Sequence, residues 1–236
     1  MPEYERGFHP KIVVKTAILV DGGFYRERAA RLAGDKTPAE RADELENYCR
    51  RHLRASKFEE QNLYRIFYYD CPPILEKGKN VYHPLLKKSV QLGSSDRGLW
   101  MRDFQNALKQ KRKFALRLGK LSDNGLNYNL KPEVTKDLLS GKRTLESLTE
   151  TDFKLNLVQK GVDMRIGIDI MSLAFKHQID RIILIAGDSD FVPAAKQARR
   201  EGIDFILDPM GNPIPDDLFE HIDGVRSQTK AWEANQ

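Results

Sequence analysis

The run Arg181-Ile-Ile-Leu-Ile-Ala186 constrains the fold more than any other part of the chain. It is apolar and β-branched without alternation, too short for a helix, and bounded by Gly187-Asp-Ser-Asp190. A strand that faces water on one side alternates, so this run predicts a strand buried on both faces, as in a parallel sheet. A helix rich in Ala, Lys and Arg follows, starting near Phe191-Val-Pro193 and ending at Gly202, and then a second strand, Asp204–Leu207. Strand, helix and strand in so few residues make a βαβ unit, which sets an α/β class with a mostly parallel sheet.

Other segments fit that class. Thr16-Ala-Ile-Leu-Val20 is a second buried strand, ending in Asp21-Gly22-Gly23. A charged helical stretch runs from Tyr25 to Arg54 and breaks near 34–38, where Thr37, Pro38 and Glu40 predict an N-cap with a reciprocal box. Leu63–Tyr69 is rich in β-formers and is closed by Asp70-Cys-Pro-Pro73. Helix is expected over 95–112, strand over Phe114–Leu118 and Phe153–Val158, and helix over Val162–His177. The chain reads as one domain over 1–236, with an N-terminal extension at 1–14 and a polar, turn-rich insertion at about 122–150.

Ligands of open α/β sheets bind beyond the carboxyl ends of the strands. Asp21 follows one buried strand there, and Asp188 and Asp190 follow another. At 100° per residue, Asp163 shares the arc of Ile166, Ile170, Leu173, Ala174 and His177, so it is expected to point to the core side of its helix. His177 reads as a core-edge histidine. Met164, Ile168, Met171 and Phe175 form a second apolar stripe, which predicts a helix covered on two sides. Gathered carboxylates repel one another, and a hard divalent cation, Mg²⁺ or Mn²⁺, relieves that repulsion. A metal so placed suits phosphodiester hydrolysis.

Each acid also has an ordinary reading. Asp21 is equally a turn former or helix cap, one of Asp188 and Asp190 is accounted for by capping, and Asp163 by capping its own helix. Asp169 falls beside Arg165 as an exposed i, i+4 partner. G-x-G-x-x-G, Walker A and G-x-S-x-G patterns are absent, and a phosphatase Asp-x-Asp is broken by Gly23.

Taken together, Asp21-Gly-Gly-Phe24, Lys160-Gly-Val-Asp163 through Asp169, and Ala186-Gly-Asp-Ser-Asp-Phe191 resemble the NYN family, LabA-like (DUF88) proteins of the PIN-like nuclease superfamily. The resemblance spans roughly 15–226. It implies a Rossmann-like three-layer α/β/α domain that binds Mg²⁺ or Mn²⁺ and cuts RNA. It also implies that Asp21, Asp163, Asp188 and Asp190 are catalytic metal ligands, with Asp169, Ser189 and Asp70 supporting them. Phe24 departs from the family, many of whose members carry Asn near that point.

The chain has 39 Lys and Arg against 34 Asp and Glu, a net charge of +5. Its densest basic run, Lys109, Lys111, Arg112 and Lys113, is read with Lys160 as RNA-binding, because backbone phosphates are held by such groups with little sequence preference. Arg50, Arg51, Arg54 and Lys57 form a second run, and Lys87, Lys88, Arg97 and Arg102 a third. Phe114, Trp100, Tyr82 and Tyr128 are candidate base-stacking rings. Solvated helix faces and core aromatics are the plainer account of all of these. Two cysteines, no apolar leader and no long apolar stretch fit a cytoplasmic protein without membrane spans. RNA is the expected partner, and a homo-oligomer stays open. The main reading is a metal-dependent endoribonuclease. A non-catalytic RNA-binding or interaction module of the same fold, or a metal-dependent DNase or phosphatase, are the alternatives.

Overall fold

In the computed structural model, which describes residues 11–54, 59–74, 80–92, 95–121, 126–156 and 159–233, the buried runs form one six-stranded sheet. Its strands are β1 (Ile12–Asp21), β2 (Glu59–Asp70), β5 (Phe114–Leu118), β10 (Arg181–Ile185), β11 (Asp204–Asp208) and β12 (Gly224–Val225). The order is β12-β11-β10-β1-β2-β5, and every pairing is parallel. Leu19 lies opposite Leu184 on one side and Phe67 on the other. All five residues of β10 are buried, which is why it reads as a continuous apolar run.

Side chains alternate between two cores, as the strand period of two requires. Ala17, Leu19, Ile182 and Leu184 pack under α5 (Val162–Phe175) and α6 (Val192–Arg200). Ile18, Val20, Ile183 and Ile185 pack under α1 (Gly22–Ala33), α2 (Pro38–Arg51), α3 (Asp96–Lys109) and the short α8 (Lys230–Glu233). Helices on both faces give the expected α/β/α layering. Thr37 caps α2 with the full reciprocal box, a contribution of about 1 kcal/mol.

The strand expected from Phe153 forms, outside the central sheet. β8 (Phe153–Asn156) pairs antiparallel with β7 (Asn127–Leu130), enclosing α4 (Pro132–Leu139) and two 3₁₀ turns. Residues 122–125 and 157–158 lie outside the described residues. A hairpin of β3 (Asn80–His83) and β4 (Lys88–Gln91) was not expected from the pattern. Its buried His83 packs against Tyr128 and Phe153, joining the two hairpins. A small ribbon, β6 (Lys120–Leu121) with β9 (Gln159–Lys160), returns the chain to α5, and α7 (Asp216–Phe219) precedes the last strand. Among the described residues, no helix is long and apolar enough to cross a membrane.

Candidate metal centre

Because β1 and β10 are neighbours, their carboxyl ends bring Asp21 and the Gly187–Phe191 turn together. Two-residue alternation puts Asp21 on the face of Leu19, the side covered by α5. Asp163 stands in the first turn of that helix. Asp163 acts on Asp21, and Asp188 and Asp190 act on Asp163. Burial, and then the charge of Asp163, raise the pKa of Asp21 against the opposing pull of the Phe24 and Gly23 amides and Arg26. Partial desolvation, then Asp188 and Asp190, raise the pKa of Asp163.

Capping and clustering coexist. Asp21 caps α1, its Oδ1 accepting from the Phe24 amide at 3.1 Å. Asp188 caps the turn Ser189–Phe191, accepting from the Asp190 amide at 3.1 Å, so Ser189 begins that turn. Asp163 caps nothing, since Gly161 in a left-handed conformation starts its helix. It is also exposed rather than turned to the core, although Val162 beside it is buried. Ile166, Ile170, Leu173 and Ala174 are buried as the arc predicts, whereas His177 is exposed in a left-handed turn after the helix (φ 46°).

Two glycines set the approach of the acidic loops. A Cβ on Gly22 would meet the Tyr69 carbonyl at 2.6 Å, and one on Gly187 would meet the Phe24 ring at 2.5 Å. Phe24, the residue that departs from the family, therefore lies against the loop carrying Asp188. Gly187→Ala is expected to push that ring away and cost about 1–3 kcal/mol. Thermal denaturation checks this, and an unchanged melting temperature would contradict the packing.

The supporting residues separate. Asp169 is not paired with Arg165. It accepts from Tyr69 Oη at 2.8 Å and Arg117 Nε at 3.1 Å, and its charge, after burial, keeps the Tyr69 phenol protonated. Asp70 is fully buried on the opposite face, beside Tyr68. It is ion-paired with Arg26 and accepts from Tyr68 Oη at 2.9 Å and the Cys71 amide at 2.8 Å. Sequence reasoning missed Arg26, which touches Asp70 and acts on Asp21; a buried carboxylate closing β2 is the signal that demands such a cation. It also missed Asp208, the buried end of β11, which is occupied by Tyr48, His52, Ser227 and the Met210 amide.

The densest basic run does not share the acidic edge. Lys109, Lys111, Arg112 and Lys113 precede β5, at the amino end of the parallel strands. Lys111 bonds Asp43 at 2.6 Å and Glu46 at 2.9 Å, and Lys113 is tied to the Leu63 carbonyl. Burial works against the Lys111 charge, but its two acidic partners raise its pKa overall. Lys160 is exposed in β9, three residues before Asp163, and Arg165 is exposed in the same helix turn. Trp100, Phe114 and Tyr128 are packed into the structure, whereas Tyr82 is 57 % exposed. Arg50 pairs with Glu46 and Arg102 with Asp103, Arg51 lies over the Tyr48 and Trp232 rings, and Lys57 lies outside the described residues.

A cavity of about 90 Å³ is lined by Arg26, Asp70, Cys71, Met101, Leu121 and Leu155, and by none of the four acids. A larger depression of about 600 Å³ lies at the opposite sheet edge, between α6 and the start of β11, and holds none of the four acids. All four donors are carboxylates, the chemistry of a Mg²⁺ or Mn²⁺ site. Among the described residues, no three groups converge closely enough to hold an ion as they stand. The donor set fits a hard divalent cation in its chemistry alone.

Residues 120–214 match the family model for the NYN domain, a family of the PIN-like nuclease superfamily. The match covers Asp163, Asp169, Asp188 and Asp190 and bears out the resemblance carried by their motifs, while Asp21 and Asp70 precede it. No curated protein matches the chain. Among solved structures, a protein of unknown function from Vibrio parahaemolyticus is 16 % identical with a TM-score of 0.44, over 94 % of this chain and 96 % of that one.

Proposed function

We propose that the carboxylate edge is a divalent-cation site and that the protein is an endoribonuclease. NYN domains are nuclease-like and RNA-related, and PIN-like nucleases typically use divalent metals. The observation that carries the reading is placement: Asp21 and the Asp188–Asp190 turn end the neighbouring strands β1 and β10, and Asp163 opens the helix α5 that covers that face, across three chain segments. Structural capping explains Asp21 and Asp188 but provides no reason to add Asp163 and Asp190 to the same edge.

When bound, Mg²⁺ or Mn²⁺ supplies charge neutralisation at the phosphate and a more acidic water. Asp21, Asp163, Asp188 and Asp190 would hold the ion, and Asp163, exposed at that edge, would orient the attacking water. Lys160 and Arg165 hold the RNA backbone beside it, since a polyanion approaching an acidic edge needs flanking cations.

The converging distances that a preformed metal site would show are not in place, which favours the module reading as the second possibility. Labelled RNA incubated with Mn²⁺, against an EDTA control, separates the two. Cleavage that requires the metal is expected, with little on an equivalent DNA or on nucleotides. RNA binding without metal-dependent cleavage would assign the domain to the non-catalytic class.

A further inference from the structure

Arg117 is exposed, yet its guanidinium is held on two sides. Its Nε donates to Asp169 at 3.1 Å, and the group lies over the Phe67 ring, 5.3 Å from the centroid. Asp169 accepts in turn from the hydroxyl of Tyr69, a fully buried residue, at 2.8 Å. Among the described residues, neither Nη atom of Arg117 has a partner. An exposed ion pair adds little stability, so stability gives little reason to fix this side chain so closely.

The sheet register sets that side chain in line with the acidic edge. Asp21 lies opposite Tyr69, and Tyr69 opposite Arg117, so the three form one row across β1, β2 and β5. Tyr69 and Phe67 belong to the core under α5, which puts Arg117 on the same side of the sheet as Asp21. Two strand spacings separate their backbones, about 10 Å. β5 is an edge strand, which leaves the guanidinium open to water. Other exposed cations lie close in the fold. Lys120 and Lys160 are opposite each other in the β6–β9 ribbon, and Arg165 is one turn before Asp169 on the same flank of α5. The outer stripe of that helix, Met164, Ile168, Met171 and Phe175, was expected to be covered and is exposed.

We propose that Arg117 binds a phosphodiester of the RNA strand beside the one at the acidic edge, and that Asp169 aims Arg117 rather than holding the ion. The inference rests on RNA being the substrate. A planar guanidinium with both Nη groups free matches the two unesterified oxygens of a phosphodiester in a bidentate contact, which a point charge does not reproduce. The two acids of α5 divide the work. Asp163 and Asp169 stand about 120° apart around the helix, on the two flanks of its buried face. Asp163 is coupled to Asp188 and Asp190, whereas Asp169 reaches Tyr69 and Arg117. The RNA strand therefore crosses the amino end of α5, from the acids on one flank to the cations on the other.

The test is the binding of a labelled single-stranded RNA to the full chain, read by fluorescence anisotropy in EDTA over a range of salt. Arg117→Gln should weaken binding several-fold and lower the slope of log K against log salt by about 0.7, the value of one single-strand phosphate contact. Arg117→Lys keeps the charge and loses the planar fork, and should weaken binding nearly as much. Arg112→Gln, the same charge change before the amino end of β5, should keep the wild-type affinity and slope. Circular dichroism spectra should be unchanged in all three. With Mn²⁺, Arg117→Gln should raise KM more than it lowers kcat. Wild-type affinity and slope in Arg117→Gln overturn the contact, and Mn²⁺-dependent cleavage in the same protein would leave the nuclease reading standing. Full affinity in Arg117→Lys overturns the aimed fork. Weaker binding by Arg117→Gln in a protein that never cuts RNA supports the contact and ends the nuclease reading alone. A wild type that binds no RNA, in EDTA or in Mn²⁺, overturns both.

Discussion

Asp188→Asn is expected to lower metal-dependent RNA cleavage by about 100-fold or more while leaving the fold intact. Outer-shell partners of a metal already cost roughly 10–100-fold when removed, and a direct ligand should cost at least as much. Asparagine keeps a carbonyl oxygen that can accept from the Asp190 amide, so the turn Ser189–Phe191 keeps its cap and only the charge is lost. Asp163→Asn should be equally inactive but more stable. A carboxyl whose pKa is raised by folding binds its proton more tightly in the folded state. Its destabilisation is absent below the unfolded value near 3.8, grows as pH rises through the folded value, and is fully present at neutral pH. Removing that charge should raise the metal-free melting temperature at pH 7, and not at pH 3.5. Mn²⁺ should then stabilise the wild type, by about 2.7 kcal/mol at a hundred times its Kd, and either variant much less. Full activity in both variants would end the metal-centre reading.

The sheet was legible because its central strands are buried on both faces, and burial leaves a nearly continuous apolar signature at 16–20 and 181–186, with a β-rich run at 63–69 beside them. The acids were legible because each follows such a strand or opens a helix. What escaped depends on contacts between distant segments. His83 is buried only because Tyr128 and Phe153 come to it, and Phe153 alternates like a sheet strand although its partner is Leu130 in a local hairpin. Periodicity gave the second stripe of α5 its correct line but not its exposure, since nothing in one helix states whether a neighbour exists. The basic run at 109–113 misled for a related reason. Charge density along the chain carries no information about which end of a parallel strand the residues occupy, and Lys111 and Lys113 are spent on Asp43, Glu46 and the Leu63 carbonyl.

Arg26→Ala should be the most destabilising change near the acidic edge. Arg26 donates to Asp70, which is fully buried, and to Tyr68 Oη at 2.8 Å. Removing one member of a buried pair strands the other charge, at a cost of about 3–5 kcal/mol. For a chain of this size, at 2–4 °C per kcal/mol, that lowers the melting temperature by roughly 6–20 °C. The loss should deepen as pH rises, because the stranded Asp70 is tolerated only when protonated. The double variant Arg26→Ala with Asp70→Asn should recover most of the loss, since the amide can still accept from Tyr68 and Cys71. A single variant within about 1 kcal/mol of wild type would show that the pair carries no such weight. Arg26 also lowers the pKa of Asp21, so its removal should move the onset of Mn²⁺ binding to higher pH. Asp70→Asn alone should reduce Mn²⁺ stabilisation far less than Asp21→Asn, because Asp70 faces the α1 side of the sheet and acts only through Arg26, whereas Asp21 faces the α5 side. That contrast separates a carboxylate that positions Arg26 from one that holds the ion.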